Sequence, residues 1–274
     1  LASGKMLGAF GLTEPEAGSD AGATRTTAVL DGDEWVINGG KIFTTNAGVA
    51  GLITITAVAV IDNQREGIGA FVIETDTPGL KIGPPEKKMG WKASDTRQIF
   101  FEDLRIPRGN LLGEPAEGFK TFLRTLTGGR ISLAALSVGT AEGAYEAALK
   151  YSREREAFGK PIHRFQAVGF KLADMATQIE ASKLLVYEAA RLYDMKRSAV
   201  KEAAMAKLFA SETAMRVTTD AIQVFGGYGY IKDYPAERYF RDAKVLTIGE
   251  GTSEIQRLII LRELVSSLEE TVPS

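Results

Sequence analysis

The spacing of hydrophobic residues changes about 115 residues into the chain. Before that point, short runs of hydrophobic and β-branched residues alternate with turns that contain glycine and proline, which is typical of β-strands. Asp31-Gly32-Asp33 separates two such runs within Thr24–Asn46 and predicts a hairpin, because glycine tolerates positive φ. Further strands are predicted at Leu52–Ile61, Gly69–Glu74 and Arg97–Phe101. Residues 1–115 are therefore predicted to form an antiparallel β domain, a small barrel or sandwich.

After Gly113–Phe119, hydrophobic residues recur every three, four or seven positions, which predicts helices. One helix has its hydrophobic positions at Phe165, Val168, Leu172, Met175, Ile179 and Val186. Others are predicted from Leu208 to Phe225, over the alanine-rich Ile131–Arg155 and over Glu254–Leu268. Long helices with short connections predict that residues 116–274 form an antiparallel four-helix bundle. The predicted fold class is α+β multidomain.

Composition excludes several kinds of protein. The 274 residues are 45% hydrophobic and 25% charged, an ordinary globular balance, and the formal net charge of -2 gives no reason to expect nucleic acid or an acidic membrane surface as partner. The longest hydrophobic runs, such as Leu52–Ile61, are too short to span a bilayer, so no membrane insertion is expected. The absence of cysteine excludes disulfides and thiolate metal sites, and no metal is predicted. The chain opens at Leu1 without methionine, as a fragment or trimmed chain would, and no secretory signal precedes the first strand. We therefore expect an intracellular protein.

Two loops of the β half combine polar and aromatic residues. Phe10–Asp20, "FGLTEPEAGSD", ends one strand, and Phe43–Asn46, "FTTN", ends another. Taken alone, each is better interpreted as an ordinary strand end or polar turn. The alternative is a ligand site, because an aromatic face beside two hydroxyls suits stacking and hydrogen bonding with a flat heterocycle.

Two stretches of the helical half could meet phosphate. Gln223–Tyr230, "QVFGGYGY", follows a helix, so it is not a dinucleotide fingerprint. It is either a helix end with a left-handed glycine cap or a place where open backbone amides approach phosphate. The basic segment Arg153–Gln166 is either a solvated linker or a diphosphate clamp formed by Arg155, since a guanidinium pairs two phosphate oxygens at once.

Glu250 is the main candidate for chemistry. It stands between two glycines in Ile248–Arg257, "IGEGTSEIQR", where a helix is predicted to begin. An acid at a helix start usually serves as a cap or dipole partner. Because Thr252 or Ser253 could cap instead, Glu250 is also a candidate general base.

Seven stretches together resemble the acyl-CoA dehydrogenase family, in its order and across nearly all of the chain. They are "LTEPEAGSD", "INGGKIFTTN", "REREAFGKPI", "FQ", "QVFGGYGY", "YPAERYFRDAK" and "IGEGTSEIQR". The resemblance implies an FAD enzyme that oxidises the Cα–Cβ bond of an acyl-CoA thioester to a trans-2-enoyl-CoA. It also implies electron-transferring flavoprotein as electron acceptor, a homotetramer built as a dimer of dimers, and a bacterial cytoplasmic or mitochondrial matrix location.

The resemblance also assigns residues. Glu250 corresponds to the base that removes the pro-R α-proton while hydride passes from the β-carbon to flavin N5, with the thioester oxygen held by the Glu250 N–H and an FAD ribityl hydroxyl. FAD contacts in the β half are Phe10, Leu12, Thr13, Ser19, Phe43, Thr44 and Thr45. Those in the helical half are Arg155, Phe158, Gln166, Gln223, Val224, Phe225, Gly226, Gly227, Thr252, Ser253 and Glu254. Substrate contacts are Ser19, Arg130 and Gly251.

Several positions depart from the family pattern. Gly249 replaces a frequent tyrosine, Thr127 replaces a usual aspartate, and Gly129 occupies the position where a minority of members carry the base. A helical domain of about a hundred residues, a normal domain size, precedes the β domain in family members and is absent from this sequence. We expect a short-chain or branched acyl substrate. The alternatives are an acyl-CoA oxidase or, for this chain, an inactive cofactor-free assembly module.

Overall fold

The computed structural model describes residues 1–269. They divide into two compact units, Leu1–Thr125 and the part that begins at Leu126. The division falls within a long helix, whereas the predicted domains meet between residues 115 and 116, where the hydrophobic pattern changes. The predicted boundary, and the functions assigned to each domain, stay predictions.

The first unit contains one mixed sheet, to which the described residues contribute eight strands. They are β1 (Gly8–Gly11), β2 (Thr27–Asp31), β3 (Glu34–Thr45), β4 (Leu52–Ile61), β5 (Gln64–Glu74), β6 (Leu80–Pro85), β7 (Thr96–Pro107) and β8 (Leu111–Leu112). Their order is β6-β7-β3-β2-β4-β5-β8, and β1 pairs with β4 outside this path. Neighbours are antiparallel except that β4 runs parallel to β1 and β2.

The hairpin and the core of this unit follow from the sequence pattern. Asp31 pairs with Glu34 across the predicted turn, where Gly32 has φ 62°. Alternate residues of neighbouring strands point to the same face. They form a buried cluster in which Trp35 and Phe71 meet edge to face with ring centroids 5.2 Å apart. This core supports the strand ends that carry the predicted ligand loops.

The second unit is helical. Within residues 1–269 the helices are α1 (Gly118–Glu154), which begins in the first unit, α2 (Gln166–Asp194), α3 (Val200–Phe225), α4 (Gly227–Tyr230), α5 (Ala236–Leu246) and α6 (Ser253–Glu269). A small hairpin of β9 (Glu156–Ala157) and β10 (Lys160–Pro161) follows α1. Helix α3 packs against α2, α5 and α6 through a face rich in buried alanine, whose small side chain lets helices approach closely. In the described chain, no helix combines the length and hydrophobicity needed to cross a membrane.

The predicted fold class, a β domain followed by a helical domain, is confirmed with two refinements. The sheet is mixed, and its path through the described strands is open, with β6 and β8 at the ends rather than joined as a barrel. Turn signals reveal hairpins but not the parallel pairing of β4 with β1 and β2, which are distant in sequence. The described part of the helical unit also has a fifth long helix, α5, whose buried residues are only Ala236, Ala243 and Leu246.

Candidate active site

Glu250 lies in the turn between α5 and α6. Its φ is 56° and that of Gly251 is 92°, so two consecutive residues have positive φ. This conformation is uncommon for a residue with a Cβ, and such strained positions cluster at functional sites. Thr252 caps α6, because its Oγ1 accepts a hydrogen bond from the Ile255 N–H at 3.3 Å. The Glu250 side chain is therefore not used as the cap.

The Glu250 carboxylate lies against the backbone of α1. A Cβ placed on Gly129 would be 2.3 Å from Glu250 Oε2 and 2.9 Å from Cδ. Oε2 is buried and has no hydrogen-bond partner among the described residues. Because buried polar atoms are nearly always paired, this oxygen indicates a place where a ligand supplies the partner.

Two buried cations accompany the carboxylate. Arg130 on α1 is 6% exposed, and Lys207 on α3 is fully buried. Burial raises the pKa of Glu250, while the charges of Arg130 and Lys207 oppose that rise. Burial also lowers the pKa of Lys207 to about 8, although Glu250 opposes this shift. A desolvated carboxylate with a raised pKa is suited to accept a proton in water-poor surroundings.

Two side chains hold the turn by its carbonyl groups. Lys207 Nζ donates to Gly251 O at 2.8 Å, and Gln256 Nε2 donates to the same oxygen at 2.8 Å and to Glu250 O at 3.2 Å. In residues 1–269, no backbone carbonyl accepts a hydrogen bond from the Glu250 N–H. The turn is thus fixed from one side while this amide is available to a ligand.

Further unpaired polar atoms belong to residues of the same region. Arg130 Nε, Ser253 Oγ and Gln256 Oε1 are buried without a partner in the described chain. With Glu250 Oε2 they make four of the five such side-chain atoms among the described residues. Their concentration near the start of α6 indicates that this part of the helical unit binds a polar ligand.

A second candidate site in the helical unit is a cavity of about 440 Å³. It is lined by the predicted Arg155, Val224, Phe225, Gly226 and Gly227, together with Tyr151, Ile162, Tyr228 and Ile231. A Cβ on Gly227 would meet no atom within 4 Å, so the backbone is open there. Gly226 has φ 60° and ψ -136°, which is not the left-handed helical cap considered from the sequence. A guanidinium, aromatic rings and open backbone fit an adenosine diphosphate group.

Six predicted FAD residues of the helical half are not part of this cavity: Thr252, Ser253 and Glu254, which lie at the start of α6, and Phe158, Gln166 and Gln223. The last three are exposed. Phe158 is 95% exposed with φ 52°, and the centroid of its ring lies 6.0 Å from that of Phe165. These assignments, like the other site residues, stay predictions.

In the first unit, the two predicted flavin stretches lie side by side. The Ile42 N–H donates to Thr13 O at 2.8 Å, and Lys41 Nζ donates to Leu12 O at 3.2 Å. Lys41 also forms a buried ion pair with Glu14 at 2.6 Å. This pair, which the sequence did not single out, ties the loop after β1 to β3.

The end of β3 fits the face and edge of a flat heterocycle. Phe43 has φ 54° and is 62% exposed, while Thr44 Oγ1 is buried with no partner in the described chain. Phe10 is partly exposed and its ring packs on Phe122 with centroids 5.1 Å apart. Ser19 and Thr45 are exposed. An aromatic ring beside an unpaired hydroxyl provides both stacking and a hydrogen bond.

Comparison with known proteins places both units in one family. Residues 9–104 match the family model "Acyl-CoA dehydrogenase, middle domain", and residues 116–265 match "Acyl-CoA dehydrogenase, C-terminal domain". Probable acyl-CoA dehydrogenase YngJ of Bacillus subtilis (strain 168) is 56% identical over 266 residues, which are 97% of this chain and 70% of that protein.

Two further relatives carry substrate names. Short-chain specific acyl-CoA dehydrogenase, mitochondrial, of Bos taurus is 49% identical over 265 residues, 97% of this chain and 64% of that protein. The solved structure of butyryl-CoA dehydrogenase from Megasphaera elsdenii has a TM-score of 0.92 at 46% identity and is matched over 96% of this chain and 69% of that chain. The chain thus spans 64% to 70% of the length of these three proteins.

Proposed function

The chain belongs to the acyl-CoA dehydrogenase family of FAD-dependent oxidoreductases, and from this premise we propose that it oxidises the Cα–Cβ bond of an acyl-CoA thioester to a trans-2-enoyl-CoA. The predicted family, enzyme class and cofactor are confirmed by these comparisons. The proposed substrate has a short or branched acyl chain. Support comes from the short-chain and butyryl-CoA names of two relatives.

The observation that carries the proposal is the buried Glu250 carboxylate, with one oxygen unpaired and two cations on neighbouring helices. The α-protons of a saturated thioester are weakly acidic, so their removal requires a desolvated base and fixed donors for the enolate-like oxygen. Glu250 is the proposed base. Its unpaired N–H is the proposed donor to the thioester oxygen.

The remaining candidate residues are proposed to bind and orient FAD and the substrate. Bound FAD supplies flavin N5 as the hydride acceptor. Phe43, Thr44 and the Thr13 loop would hold the flavin ring, while Arg155 and Gly226–Gly227 would hold an FAD diphosphate. Arg130, whose Nε is buried and unpaired in the described chain, is the proposed substrate contact. Ser253 and Gln256 are further donors or acceptors next to the base.

Glu250→Gln in the FAD-loaded protein tests the base directly. The variant should bind FAD normally, but anaerobic bleaching of the flavin by butyryl-CoA should slow by about 10²- to 10⁴-fold, the usual contribution of a general base. Glu188→Gln, which changes an exposed carboxylate paired with Arg191 on α2, is the control. Bleaching at the wild-type rate in Glu250→Gln would remove Glu250 from the role.

The electron acceptor and assembly are further proposals. We propose electron-transferring flavoprotein as acceptor and a homotetramer, the assembly typical of the family. Mass photometry measures the assembly. Peroxide formed from oxygen during turnover would favour the oxidase alternative, and protein that stays colourless after incubation with FAD would favour the cofactor-free assembly module. Bacterial and mitochondrial relatives both exist, and the compartment of this chain stays a prediction.

A further inference from the structure

Lys207 has an unusual environment for a lysine. It is fully buried on α3, and the buried side chains at neighbouring positions on its helix are Ala203, Ala204, Ala210 and Ser211. Burying an ammonium group is costly unless it is paired with charge or hydrogen-bond acceptors. The acceptor here is the carbonyl of Gly251, at 2.8 Å from Nζ. Lys207 is thus aimed at the turn that carries Glu250.

This contact acts on a strained piece of backbone. Glu250 has φ 56°, a sparsely populated conformation for a residue with a Cβ, which is retained only where surrounding contacts hold it. Lys207 and Gln256 supply those contacts, since both donate to Gly251 O from different helices. Loss of the Lys207 contact would leave Gln256 as the one side chain in the described residues that holds this carbonyl.

We propose that Lys207 is a positioning residue for the reaction: its ammonium group holds the Gly251 carbonyl, and its charge favours the ionised form of the neighbouring Glu250. The inference rests on the proposed function, in which Glu250 is the base. Lys207 itself contacts the turn through the Gly251 carbonyl.

The charges around the pair define the expected pH behaviour. Arg130 of α1 and Lys207 of α3 act on Glu250. The charges of Glu250 and Glu254 raise the pKa of Lys207, and the charge of Arg130 lowers it. The charge of Arg262 on α6 lowers the pKa of Arg130. The guanidinium groups stay protonated at working pH. Lys207, whose pKa burial lowers to about 8, is therefore the cation of this group that loses its charge within an accessible range.

Lys207→Met removes the charge and the donor while keeping an unbranched side chain. In the FAD-loaded protein, the acid limb of the pH profile for flavin bleaching by butyryl-CoA should move to higher pH by about one unit, because an opposite charge lowers a carboxylate pKa by that order. Lys207→Gln, which keeps a donor but no charge, should show the same direction. Lys171→Met, which changes a lysine paired with Asp220 at 2.6 Å, should leave the limb in place.

A readout without turnover separates this role from simple packing. The readout is an infrared pH titration of FAD-free protein. Each protein is compared with the same protein that also carries Glu250→Gln, and the difference between the two spectra reports protonation of the Glu250 carboxyl. Its midpoint should rise in Lys207→Met and in Lys207→Gln. A lower melting temperature with an unchanged midpoint in whichever of these variants folds would overturn the inference. Should Glu250→Gln still bleach, the proposed function fails; should it be inactive while the midpoint does not move, the inference about Lys207 alone fails.

Discussion

Replacing Gly129 by alanine puts a methyl group where the Glu250 carboxylate lies. The new Cβ would be 2.3 Å from Oε2, 2.9 Å from Cδ and 3.2 Å from Oε1. Real Cβ atoms essentially never come closer than 3.0 Å, so Oε2 has to retreat by at least 0.7 Å. Gly129 lies inside α1, whose backbone is fixed by helical hydrogen bonds. The carboxylate is therefore the group that moves.

Stability and activity should respond in opposite directions. Alanine is favoured over glycine in a helix interior by about 1 kcal/mol, so the free energy of unfolding should stay level or rise by up to that amount. A displacement of about 1 Å at a reacting group costs about 100-fold in rate, so flavin bleaching by butyryl-CoA should slow by about that factor. Few substitutions keep or raise the free energy of unfolding while lowering the reaction rate.

Gly139→Ala is the matched control on the same helix. Gly139 is exposed, and a Cβ there would meet nothing within 4 Å, so this variant should gain helix stability and keep full activity. Urea unfolding measures the free energy, and anaerobic stopped-flow measures the bleaching rate in FAD-loaded protein. A wild-type rate in Gly129→Ala would refute the position of the carboxylate. Slow bleaching together with lost stability would instead indicate a damaged fold.

Two further predictions concern the other parts of the site. Burial opposes ionisation of Glu14, but hydrogen bonds from Lys41, Arg25 and Thr26 lower its pKa below 4.5 overall. The ionised Glu14 therefore stabilises the fold above that pH, and this stabilisation is lost as the pH falls through the lower pKa of the folded state. Glu14→Gln should reduce the free energy of unfolding at pH 7 by about 3–5 kcal/mol and flatten its decline below pH 4.5 in urea titrations; an unchanged slope would contradict the buried pair. Arg155→Met should weaken FAD binding by about 10- to 100-fold through the loss of a charge-assisted contact, measured by equilibrium dialysis against Arg216→Met, and an unchanged affinity would exclude Arg155 as a phosphate contact.

Local sequence patterns predicted the positions of strands and helices better than they predicted which face of a helix is buried. The Asp31–Glu34 hairpin and the bounds of β4 agree with the structure because turn chemistry and strand periodicity are local properties. Of the hydrophobic residues that mark α3 in the sequence, Leu208, Met215 and Ile222 are only half-buried, whereas Phe225 is buried. Alanine accounts for six of the thirteen buried residues of α3, because close helix packing there favours small side chains over large ones.

The sequence singled out candidate site residues where their own sequence context marked them, and these assignments stay predictions. Glu250 was singled out because it lies between two glycines. Phe43 was singled out as an aromatic residue beside hydroxyls at the end of a strand, and Arg155 as a guanidinium in a basic segment between helices. Lys207 was not singled out, although it is a lone charge on the alanine face of α3, the kind of buried cation that points to function. Its partner Gly251 is 44 residues away in sequence, and such a contact exists only once the helices have packed.

The two glycines beside Glu250 have different physical reasons. Gly251 has φ 92°, and a Cβ there would be 2.8 Å from Gln256 Nε2, so both backbone and packing require glycine. Gly249 has no positive φ, and a Cβ there would meet only Val245 O at an ordinary 3.6 Å. A Cβ therefore fits at position 249, and neither the backbone conformation nor contact at the Cβ dictates glycine. We interpret the space at Gly249 as a feature of the ligand site, so that Gly249→Tyr should preserve the free energy of unfolding while changing the relative bleaching rates with short and longer acyl-CoA substrates.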